Sequence, residues 1–191
     1  MNDDWSTLHY AVVDVEGNGQ QLPDLVELGV VHIADGQIGE PQSWLVKPAW
    51  RISPFATRIH GISNDDVADS PGFADVADEV RQALDVDAVV AHNAQVDVGV
   101  LRRHLGQWDT PEVFDTLNLA RRFLPGYSSY RLGALVEALD LATGLSDGLK
   151  PHRASYDVLV TARLFLSLAS SGEERMRSLE ELRGQFRVDM C

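Results

Sequence analysis

The chain has 191 residues, 45% of them hydrophobic, and its 29 acidic side chains outnumber 16 basic ones for a net charge of −13. That length fits one domain with a sizeable core and a short appendage at most, and no stretch approaches the roughly 20 continuous apolar residues of a membrane span. The opening, MNDDWSTLHY, lacks the basic and apolar blocks of a signal peptide, and the one cysteine, Cys191, excludes an internal disulfide, so a reducing, cytoplasmic setting is expected.

Residues 8–15, LHYAVVDV, form an apolar run of strand length rich in β-branched residues, and 25–33 and 42–46 read the same way. Gly17-Asn18-Gly19 with Pro23, then Asp35-Gly36, mark the turns between them. Linkers this short favour an antiparallel meander. Phe73, Val76, Ala77, Val80 and Leu84 recur at helical spacing over 73–84. Residues 87–91 then make a short buried strand, 94–105 a helix, and 112–114 a last short strand. Helices follow over 116–123, over 131–141 with Leu132, Leu135, Val136 and Leu139 as its core side, and over 155–169. From Gly172 the composition turns charged, and 173–186 reads as an exposed tail helix, which sets a domain over 1–171 apart from a tail over 172–191. The order βββ-α-β-α-β-α predicts an α/β protein. Its architecture resembles the ribonuclease-H-like mixed five-stranded sheet, three antiparallel strands plus parallel ones, flanked by helices.

Three stretches place acids beside apolar runs, where a lone carboxylate would cost several kcal/mol or take up a proton. Asp14 and Glu16 end the first strand two residues apart, so alternation sends both to one face. A divalent ion shared between them relieves their repulsion, whereas the simpler reading is a strand end facing solvent. Asp97 lies in the first turn of the helix after the buried strand, facing the positive end of the helix dipole. Asn93 either caps that helix or contacts a substrate. His152 and Asp157 are five apart, too far round a helix to share a face, so His152 belongs to the loop before the helix that carries Asp157. A loop histidine stays partly solvated and suits a base that takes a proton from water near neutral pH. Four oxygen-rich acids with no cysteine nearby suit a hard ion such as Mg²⁺ or Mn²⁺.

A charge of −13 disfavours phosphate binding. The distribution softens this, because Arg102, Arg103, Arg121, Arg122, Arg131, Lys150 and Arg153 fall near the second and third acidic stretches and could form a local positive rim. Short or single-stranded ends are therefore favoured over long duplex.

DVEGNG, HNAQVDVGVL and HRASYDVLVTARLF resemble the three motifs of the DEDDh branch of the DnaQ-like 3′→5′ exonuclease family, and RIHGIS and DTLNLARRFLP resemble its intervening segments. The resemblance implies that Asp14, Glu16, Asp97 and Asp157 hold two Mg²⁺ or Mn²⁺ ions, with Asp14 bridging both. It implies that His152 deprotonates the water that attacks the terminal phosphodiester, releasing nucleoside 5′-monophosphates. Gly17-Asn18-Gly19 stands where relatives have two threonines after the glutamate, and Val96 where many have phenylalanine. Both positions lie where the 3′-terminal nucleotide would be held. Gly17, Asn18, His60 and Asn93 are accordingly the candidate substrate contacts, with a structural turn role as the alternative for His60; His92 reads as structural. The expected partner is a nucleic-acid 3′ end, single-stranded or frayed DNA first and RNA second, while a non-catalytic binding module would have lost a ligand or the histidine. The short tail after residue 172 shows no motif for docking onto a polymerase, which favours a stand-alone enzyme, and the sequence assigns neither a polymerase nor a homo-oligomer partner.

Overall fold

Strand β1 (Tyr10–Gly17) lies at the middle of the sheet because its first half is apolar on both faces, with Tyr10 to Val13 all buried. A computed structural model describes residues 4–170 and 176–183. On one side β1 pairs antiparallel with β2 (Leu25–Ala34), and on the other it runs parallel to β5 (Ala88–Ala91), which pairs parallel with β6 (Glu112–Asp115). The outer edge of β2 is shared by two short strands, β3 (Gln37–Ile38) against Ile33 and Ala34 and β4 (Gln42–Leu45) against Glu27 to Val30. The expected five strands and their antiparallel meander are present. The two-residue β3 is an addition, and it continues the edge that β4 begins.

Alternation splits the core into two layers. Tyr10 and Val12 of β1, Val31 and Ile33 of β2 and Val90 of β5 face one side, and Ala11, Val13, Val30 and Val89 the other. Helix α6 (Ala154–Ser170) covers the first side, beside α4 (Thr116–Phe123) and α5 (Leu132–Ala138). It is apolar around most of its circumference, as a helix sandwiched between a sheet and two neighbours must be. Helices α2 (Phe73–Ala83) and α3 (Gln95–Leu105) cover the second side.

Three elements depart from expectation. Helix α1 (Pro54–His60) fills the link between β4 and α2; Ser53 accepts from Ala56 N–H at its start, Pro54 opens it, and Gly61 closes it at φ 77°. Helix α5 stops at Ala138, and two residues on Asp140 adopts φ 54°, a left-handed conformation no helix continues through. The tail helix expected over 173–186 falls partly outside the described residues. Its described portion, α7 (Leu179–Leu182), is not an exposed helix, because Leu179 and Leu182 are buried in the α6-side core. None of the described helices is long and apolar enough to cross a membrane.

Candidate active site

The site begins where neighbouring strands part. β1 pairs with β5 only through Tyr10, Ala11 and Val12, so its next residues run past the parallel partner with that edge open. A crevice at such a divergence is the usual place for a ligand in an open α/β sheet. Asp14 and Glu16 share the face of Tyr10 and Val12, the face covered by α6. Across the ladder they stand opposite Gly29 and Glu27 of β2. Gly29 is the reason α6 can approach: a Cβ there would lie 2.6 Å from the Ala154 carbonyl oxygen. With its first residue seated on a bare glycine, the helix brings Asp157 down beside the strand. One carboxylate oxygen each from Asp14, Glu16 and Asp157 lies within 4.8 Å of the others.

These acids are held where they repel. Burial, then the charges of Asp97, Asp157 and Glu16, raises the Asp14 carboxyl well above its ordinary range. Burial first and Asp157 second push Glu16 up to about 8. Burial likewise raises Asp157 to about 7, against a backbone hydrogen bond from His152 that pulls it down. Asp14 Oδ2 is buried and has no hydrogen-bond partner. A stranded carboxylate oxygen in a donor set that, among the described residues, is made of carboxylates alone fits a hard divalent cation.

Asp97 stands just outside this group, on the opposite side of the sheet, and reaches round the end of β5. Its Oδ1 accepts the Val15 N–H at 3.0 Å, the amide that the shorter neighbour leaves unpaired. Burial raises Asp97 to about 7, and the Val15 bond works against that rise. The turn before α3 is fixed by a residue the sequence did not single out. Asp115, buried at the end of β6, accepts the backbone N–H of Asn93 at 3.0 Å and of Ala94 at 3.3 Å, and also caps α4 through Leu117 N–H.

His152 occupies the loop before α6 at φ 60°, exposed, with no hydrogen bond between its ring and the described residues. It lines the same cavity of about 560 Å³ as Asp14, Glu16, Asp97 and Asp157. Its neighbour Arg153 is clamped to Glu27, Nε to Oε2 at 3.0 Å and Nη2 to Oε1 at 2.7 Å, and Glu27 Oε2 also accepts the Ala154 N–H at 3.0 Å. Glu27 was legible by the same sign as Asp14, an acid inside an apolar strand, LVELGVVHI.

The candidate substrate contacts divide. Asn93, at φ 68°, does not cap α3 with its side chain and lines the cavity beside Val96, which is 50% exposed. Asn18 is different: it is fully buried, its Oδ1 accepts the N–H groups of Gln20 and Asp24, and its Nδ2 donates to the Trp50 carbonyl. It builds the loop and has no side-chain group to offer a substrate. His60 is buried too, donating from Nε2 to the Gly17 carbonyl at 3.3 Å and accepting Ile62 N–H at Nδ1, so the turn role is the one it fills. Gly17 is held between that bond and Pro23, whose Cβ a side chain at Gly17 would meet at 2.9 Å. His92 is braced between Tyr130 O and Thr116 Oγ1, and it also lines the cavity that holds the acids. The expected positive rim is thinner than the sequence implied, because of its arginines and lysine only Arg131 lines this cavity. Arg103 is spent on the carbonyls of Gly99 and Pro23, and Arg102 on Thr110.

Comparison with known proteins agrees with this geometry. Exodeoxyribonuclease 10 of Escherichia coli K12 is 34% identical over 174 residues, covering 91% of this chain and 74% of its own length. The 3′-5′ exonuclease DinG of Bacillus subtilis is 36% identical over 177 residues, but the chain spans only 18% of that longer protein. Among solved structures, Exonuclease X in complex with 5′-overhanging duplex DNA superposes with a TM-score of 0.72 at 36% identity, over 88% of this chain and 97% of that one. Exonuclease I structures, at about 20% identity, share the fold. The family model described as Exonuclease, of the RNase T type, matches residues 11–165, a span that holds every acid of the cluster together with His152, and the chain therefore belongs to that exonuclease family.

Proposed function

We propose that the chain is a metal-dependent 3′→5′ exonuclease that removes nucleotides one at a time from DNA ends, single-stranded or frayed. The observation that carries this reading is a trio of carboxylates, Asp14, Glu16 and Asp157, with oxygens within 4.8 Å of one another, one of whose members, Asp14, has a buried, unpartnered Oδ2. In this reading Asp14, Glu16 and Asp157 hold two Mg²⁺ or Mn²⁺ ions, with Asp97 completing the set from the far side. When bound, such ions activate the attacking water and stabilise the oxygen that leaves. His152 takes the proton of the water on an imidazole nitrogen. The water oxygen bonds to the terminal phosphorus, and the bond to the 3′ oxygen of the preceding nucleotide breaks. That oxygen recovers a proton, and a nucleoside 5′-monophosphate departs. Left-handed backbone at His152 and Asn93 is the kind of local strain that functional loops carry. DNA is placed before RNA because the relatives above 30% identity include an exodeoxyribonuclease and a structure bound to DNA.

Matched 5′-labelled DNA and RNA strands, single and duplex, with Mg²⁺, Mn²⁺ or EDTA, test this. A ladder shortening from the 3′ end with 5′-monophosphate release is expected, fastest on single-stranded DNA and absent in EDTA. Shortening from the 5′ end, or full activity in EDTA, would overturn the mechanism; faster turnover of RNA would overturn the substrate.

A further inference from the structure

We propose that Arg153 is a positioning residue: clamped to Glu27 of β2, it fixes the direction in which His152 faces the acid cluster. The inference rests on the reading of His152 as the base. The His152 ring makes no hydrogen bond among the described residues, and the residue sits at φ 60° on the last loop residues before α6, so its side chain does not hold itself in place. The next residue, Arg153, is held at several points. Its guanidinium makes a two-point grip on a carboxylate that is only 4% exposed, and its carbonyl accepts the N–H groups of Tyr156 at 2.8 Å and Asp157 at 3.0 Å. A fork gripped at both oxygens cannot rotate about its own axis, and a backbone gripped one residue along restricts the peptide that carries His152. Glu27 is thus an acid beside the cluster whose oxygens are committed to Arg153 and to Ala154 N–H.

Helix α6 does not depend on that guanidinium. Its first amide has its own bond to Glu27, Ala154 packs directly on Gly29, and Val158, Val160, Ala162, Leu164 and Phe165 are buried along its length. Asp157 and metal binding should therefore persist when the fork is weakened, while the aim of His152 should not. A displacement of an ångström at a reacting group can cost about 100-fold in rate.

Replacing Arg153 with alanine leaves Glu27 buried without its cation and could unfold the chain. Arg153→Lys keeps the charge and loses the fork, so it carries the test. Single-nucleotide removal is measured for wild type, Arg153→Lys, His152→Ala and the double variant, with Mn²⁺ binding followed by calorimetry. Arg153→Lys should lower kcat by about 10–100-fold, with KM and the Mn²⁺ isotherm unchanged, and should change kcat by less than about twofold in the His152→Ala background. Equal losses in both backgrounds, a raised KM at constant kcat, or a weakened Mn²⁺ isotherm would each overturn the inference. A His152→Ala enzyme as fast as wild type would instead overturn the base assignment, and the inference with it.

Discussion

Removing metal should make the stability of this protein fall as pH rises, which is opposite to the usual acid denaturation of carboxylate-rich proteins. The folded-state pKa of Glu16 is about 8 against an ordinary 4.5, and those of Asp97 and Asp157 are about 7 against 3.8. Burial first, and then the charges of Asp97, Asp157 and Glu16, raise Asp14 well above its ordinary range. Between the unfolded and folded values the native state binds more protons than the unfolded one. The stability tied to these protons is therefore complete below about pH 4 and is lost as pH climbs through 7 and 8. Each extra proton held by the native state costs about 1.4 kcal/mol per pH unit, or about 2.7 kcal/mol from pH 5 to pH 7. For a chain of this size that amounts to a fall of roughly 5–10 °C in Tm per retained proton. Asp14→Asn removes one of the protons that the folded state retains, because burial and then the neighbouring charges oppose ionisation of Asp14. In EDTA its Tm should fall with pH less steeply than wild type by about one proton's worth, and the general surface charge, common to both proteins, cancels in that difference. Saturating Mg²⁺, which binds the ionised ligands, should flatten or reverse the wild-type slope. Thermal melts at half-unit intervals from pH 5 to 8, with EDTA and with Mg²⁺, measure all of this. Equal slopes in the two proteins in EDTA, or a wild-type Tm that rises with pH there, would refute the account of a mutually repelling buried cluster.

Three further outcomes are expected. His152→Ala should lower kcat by roughly 10²–10⁴ while leaving the metal-induced rise in Tm intact; loss of that rise would place His152 among the ligands. Gly29→Ala would set a Cβ 2.6 Å from the Ala154 carbonyl oxygen and should cost about 1–3 kcal/mol in stability, with metal affinity falling as α6 and Asp157 are pushed off the sheet; an unchanged calorimetric isotherm would separate the glycine from the site. Asn18→Ala removes the buried oxygen that accepts the Gln20 and Asp24 N–H groups and should lower stability by about 1–3 kcal/mol, whereas a raised KM with an unchanged melt would restore the substrate contact first expected of it.

The strands were legible because burial on both faces leaves unbroken apolar runs, and the acids were legible because they interrupt those runs. Glu27 interrupts one as plainly as Asp14 does, but its meaning depends on Arg153, 126 residues further along, and no local pattern reports a partner that distant. Asn18 misled because its type and position suited either a turn or a ligand, and only the packing of Gln20, Asp24 and Trp50 around it decides which. Helix α1 has seven residues and too few turns for a period to show, although Ser53-Pro54 at its start and Gly61 at its end are a serviceable pair of brackets. The dependence of Asp97 on the Val15 amide was out of reach altogether, since it arises from one strand being shorter than its neighbour.

Helix α6 is the last long element of the described chain, yet the sheet face it covers is built from Tyr10, Val12, Val31 and Ile33, which are made well before it. A ribosome that has released residues 1–150 has supplied every strand of the sheet, with Tyr10, Val12, Val31 and Ile33 still waiting for Leu164, Phe165 and Leu168. At about 5–20 residues per second that interval lasts a few seconds, during which the nascent domain presents an open hydrophobic face. The same interval withholds His152 and Asp157, so the chain cannot assemble its acid cluster before its core is closed. Order of synthesis thus places the closing of the acid cluster after the sheet is made, and a chain broken off before α6 would lack Asp157 and leave an apolar sheet face uncovered.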